Sequence, residues 1–169
     1  SKVSDKPYTS SEKVELLDKV KSLAPWISQL GVPVIVKPHP MTTKASVLKW
    51  MDWGALPDGW RWHDGEIYQA LEATWCAVSL STSSIVDAVL AKCVPCLLTC
   101  AQNVSFNSLD FLANQFPILQ SISDDQIQVR LEEIFISRRE FFQSETFKVR
   151  EYLTLGLNPI NDRTMAAFE

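Results

Sequence analysis

The sequence predicts an α/β fold, a Rossmann-like doubly wound parallel sheet, and three observations carry that expectation. Short β-branched or apolar runs alternate with amphipathic stretches along the chain. The connections between the runs have the size that a parallel crossover needs. One run, Val32–Pro33–Val34–Ile35–Val36, is continuously apolar, as a strand covered on both faces must be. With 169 residues, 46% hydrophobic and 21% charged, the chain has globular composition and the length of one domain spanning residues 1–169.

Each element has its own warrant. Ser10 or Ser11 is a plausible N-cap for a helix carrying Val14, Leu16, Leu17, Val20 and Leu23, and Gly31 breaks the chain after it. The strand Val32–Val36 runs into Lys37–Pro38–His39–Pro40. Residues 43–53 read as a short helix, Trp60–Trp62 as a strand, 66–73 as a helix and Cys76–Leu80 as the next strand. A helix over Ser83–Ala91 and a strand over Val94–Thr99 follow. Then come a helical turn near Leu109–Asn114, a strand-like Ile118–Ile122, one long helix from Asp125 to about Phe142, and a last helical stretch over Phe147–Leu153. Right-handed crossovers in this order favour helices on both faces of one sheet. Doubly wound domains ordinarily open with a strand, whereas this chain runs from a polar stretch into a helix. It therefore reads as a fragment whose first strand is missing.

Composition removes several function classes. Sixteen Lys and Arg against twenty Asp and Glu give a net charge of −4, which disfavours a nucleic-acid module. The long uncharged run Cys93–Leu109 contains a proline and several polar residues, so no segment reads as a membrane span, and no signal peptide opens the chain. A cytoplasmic protein is expected, one able to sit at the inner face of the cytoplasmic membrane. Cys76, Cys93, Cys96 and Cys100 read as small core residues, with neither a metal nor a disulfide expected. The Cys93–Cys96 spacing enters a strand, whereas a redox CxxC would open a helix. Trp50, Trp53, Trp60 and Trp62 read as a local core and not as a carbohydrate-stacking surface.

Two motifs fall where ligands bind in open α/β sheets, beyond the carboxyl ends of strands. In Lys37–Pro38–His39–Pro40 the prolines hold a stiff loop with the imidazole presented beside a cation. His39 either donates to a phosphate or carboxylate oxygen or closes a turn against solvent. In Ser79–Leu80–Ser81–Thr82–Ser83–Ser84, five hydroxyls crowd the start of a helix, whose unpaired amides favour an anion. Asp87, a turn further on, has the reach to meet ribose hydroxyls; the structural alternative is ordinary helix capping. His63–Asp64–Gly65 follows the Trp60–Trp62 strand and shares the first sheet edge, as a rest for a base or as a plain turn.

A strand ending in KPHP, then a strand entering SxSTSSxxDA, then VPCLLT, resembles the C-terminal, donor-binding half of GT-B glycosyltransferases. More narrowly it is similar to bacterial surface-polysaccharide enzymes with an HP motif. These include Kdo transferases of capsule and lipopolysaccharide assembly, sialyltransferases and CDP-glycerol glycerophosphotransferases. The resemblance covers residues 10–100. It implies a nucleotide-sugar donor, CMP-Kdo or a related CMP-sugar, and no further cofactor. Lys37, His39, Pro40, Ser81, Thr82, Ser83 and Ser84 would hold the phosphate and sugar carboxylate, and Asp87 the ribose, with the nucleotide docking between His39 and the Ser81–Ser84 turn. His39 would support the leaving group, and Ser1–Asp5 would border the donor. The acceptor-binding N-terminal half and the general base would lie outside this chain. The alternatives are a UDP-GlcNAc 2-epimerase-like domain and a non-catalytic α/β interaction module.

Overall fold

A computed structural model describes residues 10–79, 82–99 and 110–157. The chain is mixed α/β, with two small parallel sheets and seven α-helices among the described residues. The elements are α1 (Ser10–Leu30), β1 (Val34–Val36), α2 (Lys44–Met51), β2 (Trp60–Trp62), α3 (Ile67–Glu72), β3 (Cys76–Ser79) and α4 (Thr82–Leu90). After these come β4 (Val94–Leu97), α5 (Asp110–Gln115), α6 (Ile127–Glu132) and α7 (Arg139–Leu157). The described residues fall into two compact units, one drawn from Ser1–Ala70 with Thr99–Ser105, the other from Leu71–Leu98 with Phe106–Glu169.

In the first unit β1 and β2 pair in parallel, with Val34 opposite Trp60 and Val36 opposite Trp62. Parallel pairing requires a crossover, and α2 supplies it. Thr43 caps α2, its hydroxyl accepting the Ser46 N–H at 3.1 Å. The helix ends at Asp52, in the left-handed region at φ 55°, where the Asp52 and Trp53 amides donate back to Lys49 and Leu48. That is the Schellman arrangement, made here without glycine. Before β2, the Trp60 N–H donates to the Pro57 carbonyl across a turn whose third residue, Gly59, has φ 82°. A positive φ at that position favours glycine. α1 continues through Pro25, although proline removes a helix donor, and packs on α2. Ala24, Val47, Met51 and Trp60 are buried. Trp53 meets Trp60 edge-on at 5.5 Å, while Trp50 stands half-exposed, so the tryptophan core is smaller than the sequence suggested. Buried Lys19 donates to the Thr99 carbonyl at 2.9 Å and faces Glu15 at 3.4 Å.

In the second unit β3 and β4 pair in parallel, from Cys76 opposite Val94 to Ser79 opposite Leu97, with α4 as the crossover. All four residues of β4 are buried, and α4, α7 and the turn Pro117–Leu119 pack on the strand. α4 ends like α2: Lys92 lies at φ 64°, its amide donating to Val89 and that of Cys93 to Ala88. Arg150 of α7 donates to the Leu90 carbonyl at 3.1 Å, satisfying another acceptor at this helix end.

Two expectations are corrected here. Ile118–Ile122 is not a strand: residues 117–119 form a 3-10 turn, and only Ile122 makes a parallel bridge, to Leu98. Pro117 opens that turn with its preset φ, and Ile118 and Leu119 are both buried in it. The long helix from Asp125 to Phe142 is not continuous. A 3-10 turn, Asp124–Gln126, leads into α6, and Glu133–Ser137 is a π turn closed by the Arg138 N–H on the Glu133 carbonyl at 2.8 Å. The ladder breaks at Arg138, and the Phe147–Leu153 stretch belongs to α7. A polar insertion accompanies the break, because the Trp75 indole N–H donates to the Ile134 carbonyl at 3.3 Å.

Replacing a wholly buried α4 residue tests this packing. Ile85 has no exposed surface, so Ile85→Ala should lower the unfolding free energy by about 2–5 kcal/mol in urea titrations. A loss under about 1 kcal/mol would contradict the packing of α4 on β4.

Candidate functional site

The two sequence motifs fall in different units, and each is described by itself. In the first unit, the in-register parallel pairing sends the loops after β1 and β2 off the same edge. The first loop carries Lys37, His39 and Pro40, all exposed. Its shape comes from short-range bonds: the Met41 N–H donates to His39 Nδ1 at 3.1 Å, and the Thr42 N–H to the His39 carbonyl at 2.8 Å. Because Nδ1 accepts, the neutral imidazole carries its proton on Nε2. The turn therefore sets both the ring's tautomer and its tilt.

The second loop carries His63, Asp64 and Gly65. It is tied to β1 by the His63 N–H donating to the Val36 carbonyl at 3.0 Å. His63 Nε2 lies 3.0 Å from the Glu66 carbonyl oxygen. A Cβ on Gly65 would run into the Gln69 side chain and reach 3.0 Å from His63 Nε2, so a glycine lets the ring lie close. The second loop is met by a residue that sequence reading passed over. Lys44, from the first turn of α2, places its Nζ 2.6 Å from Asp64 Oδ1 and 5.9 Å from the centre of the Trp62 ring. The hydrogen bond from Lys44 holds the Asp64 carboxyl below its ordinary value, opposed by desolvation and helped by the charges of Lys44, His63 and Lys37. Only the fold brings Lys44 to Asp64, so no spacing in the sequence announced the pair.

In the second unit β3 ends at Ser79 and α4 begins at Thr82. The Leu98 N–H donates to the Ser79 carbonyl at 2.9 Å, which fixes where the strand stops. Ser81 lies outside the described residues, as do the side chains of Thr82 and Ser83. Ser84 is half-buried on the first turn of α4, and Asp87 is exposed one turn further on. The strand thus ends at Ser79 and the helix begins at Thr82 within the Ser/Thr run. Ser1–Asp5 and Cys100 also lie outside the described residues.

The cysteines line the core of this unit. Cys93 and Cys96 are fully buried, and burial pushes both thiols up to about 12; burial also pushes the Cys76 thiol well above its ordinary value. All three are unbridged. Among the described residues no group of three His, Cys, Asp or Glu is placed to hold a metal ion, and no helix is long and apolar enough to cross a membrane. Comparison of the chain with protein-family models, with curated proteins and with solved structures found no match.

A thiol held protonated by burial is a poor nucleophile. At pH 8 Cys93 and Cys96 should resist iodoacetamide in the folded chain and react once it is denatured, as read by peptide mass mapping. Fast native labelling at either position would contradict the burial. Because the folded pKa values are raised, the stability these thiols support is complete below the ordinary thiol value and is lost as pH rises towards about 12.

Proposed function

We propose that the chain is the nucleotide-sugar-binding part of a glycosyltransferase, a Rossmann-like half of a GT-B fold. Its donor is a CMP-linked acidic sugar such as Kdo, used in bacterial surface-polysaccharide synthesis. One observation carries the reading. Each motif that resembles the donor-binding residues of that family leaves the carboxyl end of a strand in a parallel βαβ unit: KPHP after β1, and the Ser/Thr run between β3 and α4. Strand ends of this kind are where open α/β sheets bind nucleotides.

The chemistry assigned to each group follows from its surroundings. Breaking the bond between sugar and nucleotide builds negative charge on the departing phosphate oxygens. A neutral His39 with its proton on Nε2 is a hydrogen-bond donor suited to that charge, and Lys37 and Pro40 set the charge and stiffness of its loop. The opening amides of α4 and the hydroxyls of Ser81, Thr82, Ser83 and Ser84 suit the phosphate and the sugar carboxylate. Asp87, exposed on the next turn, suits the ribose hydroxyls. The base that activates the acceptor, and the acceptor-binding half itself, are assigned to polypeptide other than these 169 residues. One observation favours a second reading, a non-catalytic interaction module: His39 already makes a turn-closing bond through Nδ1.

Thermal denaturation with CMP, CDP and UDP separates the two. A ligand of the folded state stabilises it by about 2.7 kcal/mol at a hundred times its Kd. CMP should raise the Tm in a concentration-dependent way, and His39→Ala should weaken that response by more than the small drop in unliganded Tm that loss of its exposed turn bond brings. In an enzyme that includes the acceptor side, the same substitution should cut turnover by about 3 kcal/mol. No shift with any cytidine nucleotide would overturn the donor reading in favour of the interaction module.

A further inference from the structure

At the edge of the first unit Lys44 and Lys37 bring positive charge that helix stability does not require, beside His63, whose ring also meets the Glu66 carbonyl. Lys44 stands in the first turn of α2, where a cation opposes the helix macrodipole, and no acidic residue accompanies it there. Lys37 follows β1 and His63 follows β2, on loops that leave the same edge of the sheet. Two loops and one helix start therefore each place one cationic or protonatable residue at this edge. What they share is Asp64: Lys44 contacts its carboxylate at 2.6 Å, and the charges of His63 and Lys37 also act on it.

We infer that Lys37, Lys44 and His63 form an anion-binding site suited to a phosphoryl group, and that the Asp64 carboxylate occupies this site when no ligand is bound. The Asp64 side chain is 74% exposed and that of Lys44 45% exposed, so the ion pair is solvated and weakly held. A carboxylate has one negative charge to offer; a phosphate monoester has up to two, with more acceptor oxygens. Phosphate therefore draws Lys44 away, and Asp64 swings into solvent at little cost. Gly65 contributes by leaving room for the His63 ring, which a side chain there would displace. The inference goes beyond the donor reading, because it requires neither a nucleotide nor any residue of α4.

The test is a titration of the whole 169-residue chain with inorganic phosphate and, separately, with CMP, at constant ionic strength held by chloride. Binding is followed by amide and imidazole NMR shifts. Phosphate should move the signals of Lys44, His63 and Asp64 together. Asp64→Asn should tighten phosphate binding about two- to fivefold by removing the internal competitor, and Lys44→Gln should weaken it by at least as much. Opposite signs are the diagnostic result, since a merely structural ion pair would change in the same direction when either partner is lost. Gly65→Ala, which alters no charge, should also weaken binding by moving His63. CMP shifting the same signals would identify a nucleotide as the source of the phosphoryl group; phosphate binding without CMP binding would support the site with a different phosphorylated ligand. Shifts that chloride reproduces, or equal effects of Asp64→Asn and Lys44→Gln, would overturn the inference.

Discussion

Strand β4 has no face to give to water, and the second unit is arranged around that constraint. Every residue from Val94 to Leu97 is buried, and so is Leu98 beyond it. A strand covered in this way needs a neighbour along its edge and helices against it. β3 supplies the neighbour, in parallel, which obliges the chain to cross back through α4. α4 then brings Ile85, Ala88 and Val89, none with exposed surface, and α7 adds Phe142 and Val149. The position of the Ser/Thr run follows from this burial. β3 stops at Ser79, level with Leu97, and α4 starts at Thr82, so the run is divided between a strand end and a helix start.

The first unit applies the same topology with less cover. β1 is half-buried throughout, and only Trp60 of β2 is buried. Lighter burial leaves the loops beyond both strands open to solvent, and there the charged groups gather. The two crossover helices terminate alike, through a left-handed Asp52 and a left-handed Lys92. In each, the strain of a non-glycine residue is accepted because two amides thereby reach carbonyls at the helix end. Such a stop is abrupt, which is what a short crossover between strands requires.

Much of this was legible in the sequence, and the misses have physical causes. Four strands and the crossover helices announce themselves through β-branched runs and apolar spacing, and Gly31, at φ 67°, marks the end of α1 as its position suggests. Asp52 and Lys92 carry a weaker signal: aspartate is enriched among left-handed non-glycine residues but far less telling than glycine, and lysine advertises nothing. Ile118–Ile122 misleads because an apolar run has the same composition whether it alternates or turns, and Pro117 decides for turning. The break at Arg138 was hidden for a different reason. Its partner, Trp75, lies 59 residues from Ile134 in sequence, and local periodicity cannot register a distant donor. The loops carrying His39 and Asp64 were placed correctly at a strand edge, whereas Lys44 escaped notice because a lysine on a short helix looks like ordinary surface.

The use of His39 in its own turn bears on how structural and chemical roles relate. A hydrogen bond from the Met41 amide to Nδ1 is a local, structural contact, of the kind that would explain a histidine between prolines without any ligand. Yet an imidazole offered to a phosphate has two tautomers and a rotatable ring, and only one arrangement presents a proton outward. Binding one nitrogen to the backbone selects the tautomer with its proton on the other, as a partner on the second nitrogen does for histidines at metal sites. Lys44 and Asp64 show the same logic in charge: the pair that steadies the edge without a ligand also keeps a cation extended towards it. At this edge the contacts that hold the loops are the contacts that orient their donors. Under the donor reading the structural role of these residues is a condition of the chemical one; under the interaction-module reading it is the whole of their use.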